Sequence, residues 1–284
     1  QGAVNVCYNA VARSIGQATS ADWFWGGEPV SVIERNFDLD LVNRFARVVT
    51  WNRKFAVQLK DPVLVPLPHW LTPERIERFF EQPRAWGARK AQVVFIANDK
   101  LSAHPSQLYS LRLMIADWLH EHTDYEVCWY GRLRQARPYH KGMISKEQKY
   151  DVFREARFAF CAENCYDEFY SWDYLTEKLF DVWAGQALPL YMGCYNIDEY
   201  APQETYIDLR KFVTAESGSY VLDHEALLKT LDAFDYKRYK AYTDALKRLY
   251  AQKKAELFEG RSWQSTYEKV CIAYARNLQK GKEA

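Results

Sequence analysis

Thr176, Glu177 and Lys178 stand directly in front of an apolar, helically spaced segment, after a polar aromatic stretch that follows the run FCAEN. Thr176 is of the type that caps a helix N-terminus, which puts Glu177 and Lys178 in the first turn. A glutamate there is ordinary, because the helix dipole favours anions at that end; a lysine runs against the preference. A helix N-terminus with a lysine beside it can hold an anion, phosphate above all. On position alone, a solvated surface lysine explains the residue better. The chain has no Gly-rich Walker loop and no Gly-x-Gly-x-x-Gly run, so neither a P-loop NTPase nor a dinucleotide oxidoreductase is expected. Arg112 lies inside another helical pattern, where an ordinary surface ion pair is the simpler reading. The stretch GRLRQARPYHK, with Arg132, Arg134, Arg137, His140 and Lys141, could help hold a phosphate or an anionic acceptor, although a solvated loop is favoured. His69, in PLPHW, is read as structural.

The rest of the chain has to position these groups. At 284 residues it is long for one domain and comfortable for two. A net charge of +1 gives no electrostatic reason to expect nucleic acid or a membrane surface as partner. Aromatic residues reach 16%, enough for flat sugar- or base-binding faces as well as for a Trp-rich core, and both readings stay open. Several of the six cysteines lie in apolar runs, where cysteine acts as a small hydrophobe, and Cys161 with Cys165 falls short of a zinc site. Neither a signal peptide nor a membrane-length apolar run is visible, and the chain begins with Gln. A reducing, cytoplasmic compartment is expected, with membrane association through an acceptor or a removed segment left open.

The expected fold class is α/β. From residue 90 the rhythm is regular: strands at 91–98, 125–131, 157–164 and 188–193 alternate with helices at 106–122, 145–156 and 176–186, and 206–212 is read as a further strand. Such alternation means βαβ units and a parallel sheet. Before it, 4–10, 21–32 and 44–52 read as strands. Residues 62–71 carry too many prolines for a central strand and read as an edge or an extended crossover. Residues 72–82 begin a helix with Thr-Pro-Glu. Residues 224–234 and the charged tail from Tyr236 read as helical. The expected division is 1–89, 90–235 and 236–284, the last packing back on the first. An open parallel sheet binds ligands beyond the carboxyl ends of its strands, where Asn98, Gly131, Glu163, Asn164 and Gly193 fall.

These strand-end residues carry a resemblance. The run FAFCAEN…DYLTEKLFDVWAGQALPLYMG resembles the signature of family 10 α-1,3-fucosyltransferases through Glu163, Asn164, Tyr174, Thr176, Glu177, Lys178, Pro189 and Gly193, with Leu175 a mild variation. VVFIANDK…LRLMIADWLHEHTDYEVCWYG is similar to a second block of that family through Asn98, Arg112, Leu119 and Gly131, with Ala97 in place of the usual Ser. FWGGEPVSV resembles the family's N-terminal segment with its proposed catalytic glutamate, here Glu28. Together these cover about residues 21–215. The loop 165–173 is longer than the family pattern, and the region before Glu28 shorter.

The resemblance implies a GT-B-like architecture: two Rossmann-like domains with a cleft between them, the N-terminal one reduced. The implied activity is inverting transfer of fucose from GDP-fucose to a hydroxyl of a glycan acceptor. Glu28 becomes the base; the apolar neighbourhood of Trp23 and Trp25 would raise its pKa. Arg112 and Lys178 become the partners of the diphosphate. Asn164 and Tyr174 would bind phosphate or sugar, Thr176 would cap the helix at that site, and Glu177 would accept from sugar hydroxyls. Trp23, Trp25, Asn98 and Glu163 are further candidates for donor or acceptor contact. Asp38 and Asp40 match the Asp-x-Asp spacing of metal-dependent GT-A transferases, but that spacing is common by chance, so no metal and no cofactor is expected beyond the nucleotide sugar. Two alternatives stay open: a related transferase using another donor, such as UDP-xylose or a GDP-hexose, and a non-catalytic glycan- or nucleotide-binding module.

Overall fold

Two seven-residue strands rich in Val, Ala and Phe, β5 (Lys90–Ile96) and β8 (Ala156–Ala162), lie side by side in parallel at the centre of the larger of two sheets. Their inner residues are buried on both faces, which is why they read as apolar runs rather than as alternations. The structure is a computed structural model that describes residues 6–11, 15–216 and 219–283. Beyond β5 the sheet continues through β6 (Glu126–Tyr130) to β7 (His140–Gly142), and beyond β8 through β9 (Leu188–Met192) to β10 (Ile207–Asp208), every pair parallel. In chain order this is the doubly wound 3-2-1-4-5-6 arrangement, which reverses between β5 and β8. A smaller parallel sheet is built from β1 (Val6–Tyr8), β2 (Trp23–Trp25), β3 (Arg47–Thr50) and β4 (Pro62–Leu64), in that order.

The main helices are α1 (Pro73–Glu81), α2 (Tyr109–His122), α3 (Gln148–Glu155), α4 (Glu177–Gly185), α5 (His224–Asp232), α6 (Tyr236–Lys253) and α7 (Trp263–Glu283). Residues 179–185 of α4 are all buried, so this helix is sandwiched rather than surface-lying. Gly185 permits that approach, since a Cβ there would lie 2.3 Å from the Cβ of Phe153 in α3. In α6, Tyr239, Tyr242, Leu246 and Leu249 repeat at helical spacing and face the larger sheet; the hydroxyl of Tyr242 donates to the carbonyl of Ala187 at 2.7 Å. A π-helical turn, Lys254–Glu259, redirects the chain. Helix α7 then lies on the smaller sheet, with Val270 buried against Trp23 and Trp25 and Tyr274 edge-on to Trp23.

The expected βα rhythm after residue 90 is present, with shifts of a few residues at element ends. Other expectations need correction. The strand expected at 206–212 is only two residues long, because the Asp208 side chain accepts from the amide of Arg210 and turns the chain into a 3-10 turn, Leu209–Lys211. The aromatic strand expected over 21–32 stops at Trp25, before the two glycines. The basic stretch read as a loop contains the edge strand β7, and an unexpected antiparallel hairpin pairs β11 (Val213–Glu216) with β12 (Ser219–Leu222).

The loop 165–173 bridges the two sheets. The Asn52 amide donates to the carbonyl of Phe169 at 2.7 Å, Lys54 pairs with Glu168 at 2.9 Å, and Phe169 and Tyr170 pack against Phe55 and Phe37. Arg53 grips Asp173 with two parallel bonds of 2.8 Å. Asp173 is buried and also accepts from Asn196 and Tyr200. Burial works to raise its pKa, but the bonds from Arg53, Tyr200 and Asn196 outweigh it and hold the carboxyl below its ordinary value. A depressed folded pKa contributes stability that is complete above the unfolded value of about 3.9 and is lost as pH falls through the folded value. Arg53→Ala should therefore lower the unfolding free energy by about 2 kcal/mol at neutral pH and flatten its decline below about pH 4, as read from denaturant titrations across pH.

Candidate active site

A cavity of about 370 Å³ opens where β5 and β8 part, at the switch point of the larger sheet. The strand ends supply Asn98 and Asn164, α2 supplies Tyr109 and Arg112, and the start of α4 supplies Glu177 and Lys178. Lys100 and Lys149 add two further cations, and Glu28 arrives from the smaller sheet.

The base of this site is a buried carboxylate. Glu163, fully inaccessible at the end of β8, accepts from the amide of Thr176 at 3.0 Å and from its hydroxyl at 2.7 Å. Thr176 in turn caps α4, its hydroxyl accepting from the amide of Lys178 at 3.4 Å and from the Lys178 ammonium at 3.1 Å. That ammonium lies 3.2 Å from Glu163 and 3.5 Å from Glu177. Burial opposes the charge on Lys178, but the carboxylates of Glu163 and Glu177 outweigh it and hold its pKa well above the usual lysine value. Burial also works to raise the Glu177 pKa; Lys178, a backbone amide and Lys149 reverse the sign and keep it low. Gly193, at the end of β9, leaves room for this arrangement, because a Cβ there would sit 2.2 Å from the Glu163 Cγ.

Arg112, 4% exposed, fastens the same strand end from the other side. One guanidinium nitrogen donates to the carbonyls of Ala162 at 3.1 Å and Glu163 at 2.6 Å and to the Asn164 side chain at 3.0 Å. Asn98 accepts from the amide of Arg132 at 2.9 Å, tying the ends of β5 and β6 together. The Glu28 loop is held by an asparagine clip. Asn9 accepts from the amides of Gly27 at 2.7 Å and Glu28 at 3.0 Å, and Asn36 donates to Asn9 and to the Glu28 carbonyl, each at 2.9 Å. A Cβ at Gly27 would fall 2.0 Å from the hydroxyl of the half-exposed Tyr8, whose ring would have to move aside. Ser31 then donates across to the carbonyl of Asn164 at 3.0 Å, which docks the loop on the larger sheet. Burial raises the Glu28 pKa, while Lys100 and Lys178 pull it down and Glu177 adds to the rise.

The structure thus brings Glu28, Asn98, Arg112, Asn164, Glu177 and Lys178 to one cavity. Other expected site residues lie elsewhere. Tyr174 is 1% exposed and packs on Trp51 in a cluster with Leu67 and Cys165, so it does not line the cavity. Thr176 and Glu163 stand behind the wall, their polar atoms engaged with each other and with Lys178. Trp23 and Trp25 belong to the core between the smaller sheet and α7, because β2 is buried on both faces. The basic stretch is engaged in pairs: Arg134 with Asp99, Arg137 with Asp117 and Lys141 with Glu126. Asp38 caps a short helical turn by accepting from the amide of Leu41 at 3.1 Å, and no cluster of metal-ligating side chains occurs among the described residues. His69 is buried against Phe180, in a structural setting.

Sequence reasoning missed Lys100, Tyr109, Lys149 and Asp181. Lys149 and the Tyr150 hydroxyl both bond Asp181, which lies 32 and 31 positions downstream, so no local pattern marks them. Tyr109 offered one local signal, since it precedes Arg112 by three positions on one helix face and its ring lies 5.0 Å from the guanidinium.

A doubly wound parallel sheet and a smaller parallel sheet facing a shared cavity accord with the architecture of GT-B glycosyltransferases, and solved structures similar to this chain are of that class. One is an α1,3-fucosyltransferase with GDP, at a TM-score of 0.52 and 14% identity over 85% of this chain and 68% of that one. A second α1,3-fucosyltransferase structure matches at 0.50 and 17% identity, over 80% and 65%. A UDP-forming α,α-trehalose-phosphate synthase from Burkholderia vietnamiensis matches at 0.53 and 9% identity, over 95% and 69%. At these identities the likeness is one of fold, and the chain spans about two thirds of the length of the two fucosyltransferases. No curated protein sequence matches it. Residues 89–282 match the family described as "Glycosyltransferase family 10 (fucosyltransferase) C-term", and the chain belongs to that family.

Replacing Glu163 tests how the site is held. Glu163→Gln removes the counter-charge of Lys178 and one acceptor for Thr176, and should cost about 3 kcal/mol in urea titrations. A loss below about 1 kcal/mol would mean that the network contributes little to stability.

Proposed function

We propose that this chain transfers fucose from GDP-fucose to a hydroxyl of a glycan acceptor, with inversion and without a metal ion. The observation that carries the reading is a carboxylate from one sheet, Glu28, facing four cations from the other, Lys100, Arg112, Lys149 and Lys178, across one cavity. In this reading residues 1–89 present the acceptor, 90–235 hold the donor, and 236–284 tie the two together. Glu28 takes the proton of the acceptor hydroxyl, and its burial-raised pKa suits it to that task. The acceptor oxygen attacks the anomeric carbon as the bond to the diphosphate breaks on the opposite face. Lys178 and the α4 N-terminus meet the charge that develops on the leaving phosphate, and Arg112 and Lys149 add to the field. With side-chain cations in that place, the chemistry does not call for a metal. Asn164 and Glu177 stand where they can bond sugar hydroxyls. A cytoplasmic location accords with the buried thiols of Cys128, Cys161, Cys165 and Cys194, which form no disulfide; no helix among the described residues is long and apolar enough to cross a membrane.

The contacts invoked are to the diphosphate, so UDP-xylose or a GDP-hexose would meet the same wall. Hydrolysis and transfer assays over a panel of nucleotide sugars decide between them: turnover of GDP-fucose alone supports the proposal, and turnover of a UDP-sugar without GDP-fucose overturns the donor. A non-catalytic module would turn over none. Glu28→Gln should lower kcat by about 100-fold or more and leave donor affinity within a few-fold. The acid limb of kcat/KM should lie above the ordinary carboxylate value of about 4.3, because the base is inactive once protonated, and it should vanish in the variant. Lys178→Ala should weaken GDP binding by about tenfold in calorimetry. Activity lost to a chelator would sink the metal-free mechanism.

A further inference from the structure

Three indoles are stacked at the edge of the molecule. Trp25 lies parallel to Trp263 with ring centroids 6.3 Å apart, and Trp263 lies on Trp70 at 5.0 Å, with interplanar angles of 16° and 25°. Trp25 is 9% exposed, Trp263 38% and Trp70 54%, so the stack runs from core to solvent and ends in an open indole. The stack is fixed by backbone. The amide of His69 donates to the carbonyl of Arg261 at 2.9 Å and the amide of Trp263 to the carbonyl of His69 at 3.1 Å, a bridge that clamps the crossover to the start of α7. Trp70 is therefore an exposed aromatic held rigid by two others, which an ordinary solvated surface does not require.

Its surroundings connect it to the cavity. Trp25 precedes Glu28 by three residues, at most about 10 Å of chain. Tyr8, 48% exposed, stands edge-on to Trp25 at 5.6 Å, and its hydroxyl fills the space that a side chain at position 27, next to Glu28, would take. At the far end, the Lys146 ammonium sits 5.1 Å from the Trp70 centroid, and three residues later Lys149 lines the cavity. An exposed lysine is displaced from an indole at a cost of about 0.5–1 kcal/mol. Trp70 thus presents a flat apolar face with a displaceable ammonium over it. A pyranose has the complementary form, with an apolar C–H face for the ring and hydroxyls or a carboxylate for the lysine.

We propose that Trp70, held in place by Trp263 and the buried Trp25 behind it and with Lys146 at its outer face, is a subsite for a pyranose ring of the acceptor glycan, one or more sugar units away from the hydroxyl that reacts. This rests on the transferase reading above, and the test separates the two.

The full chain is titrated with a panel of neutral and uronic-acid-containing tetrasaccharides and followed by saturation-transfer NMR, with GDP binding measured by calorimetry in parallel. Binding of at least one tetrasaccharide is expected, weakened about tenfold or more in Trp70→Ala and largely kept in Trp70→Tyr. GDP affinity should be unchanged in both, and Trp70→Ala should lower the melting temperature by no more than a few degrees. If the wild-type chain binds GDP but no tetrasaccharide, or if Trp70→Ala binds as the wild type does, the subsite is wrong and the transferase reading stands. If the chain binds tetrasaccharides through Trp70 but neither GDP nor GDP-fucose, the subsite stands and the transferase reading falls. Trp70-dependent sedimentation with phosphatidylserine vesicles, without a sugar signal, would assign the face to lipid and overturn the subsite.

Discussion

A charge that leaves water must be matched where it is buried, and in this protein the charge is Glu163. Its carboxylate has no access to solvent, so its partners are fixed by necessity: the Thr176 amide and hydroxyl and the Lys178 ammonium. That requirement holds the start of α4 against the end of β8, places Lys178 on the cavity wall and leaves no room for a side chain at 193. Arg112 supplies the same order from the opposite side by tying down the carbonyls that flank Glu163. Lys178 is thus preorganised by the anion behind it. A lysine so held presents its charge without a further cost in side-chain ordering when a phosphate arrives.

Much of this could be read from the residues, and the failures have physical causes. The βα rhythm after residue 90 was legible because buried parallel strands and amphipathic helices carry strong, different periods. The smaller sheet was harder, because its strands are three or four residues long and shorter than the apolar runs containing them. Thr176 and Lys178 were legible as a helix start, and only the fold reveals that their common partner is Glu163, thirteen positions before the cap. Tyr174 carried the same pattern signal but sits in the packing between the sheets. A motif preserves what a fold needs as well as what a ligand touches, and spacing alone does not separate the two. Lys149 and Asp181 had no local signal, since their contact is made by the packing of α3 on α4.

The halves are joined at four places that differ in chemistry. The crossover 65–71 carries His69 and Leu71 into the larger half, the loop 165–173 grips Asn52, Arg53 and Lys54, and Ser31 reaches the carbonyl of Asn164. Arg261, buried just before α7, donates to the carbonyl of Leu175 at 3.1 Å and lies over Tyr200. These joints combine apolar packing with polar bonds, and polar bonds depend on direction more than apolar contacts do. The cavity between the halves is lined by oriented groups on both walls.

Helix α7 sits on strands that the chain makes first. Trp23 and Trp25 lie near one end of the sequence, while Val270 and Tyr274, which cover them, lie near the other. A ribosome releases these partners far apart in time, and contacts so distant in sequence close slowly even in the free chain. The larger sheet, whose neighbours in space are mostly neighbours in sequence, can assemble while its leading portion still shows bare indoles to the cell. For that interval the smaller sheet lacks its cover, and it is the last part of the fold to mature.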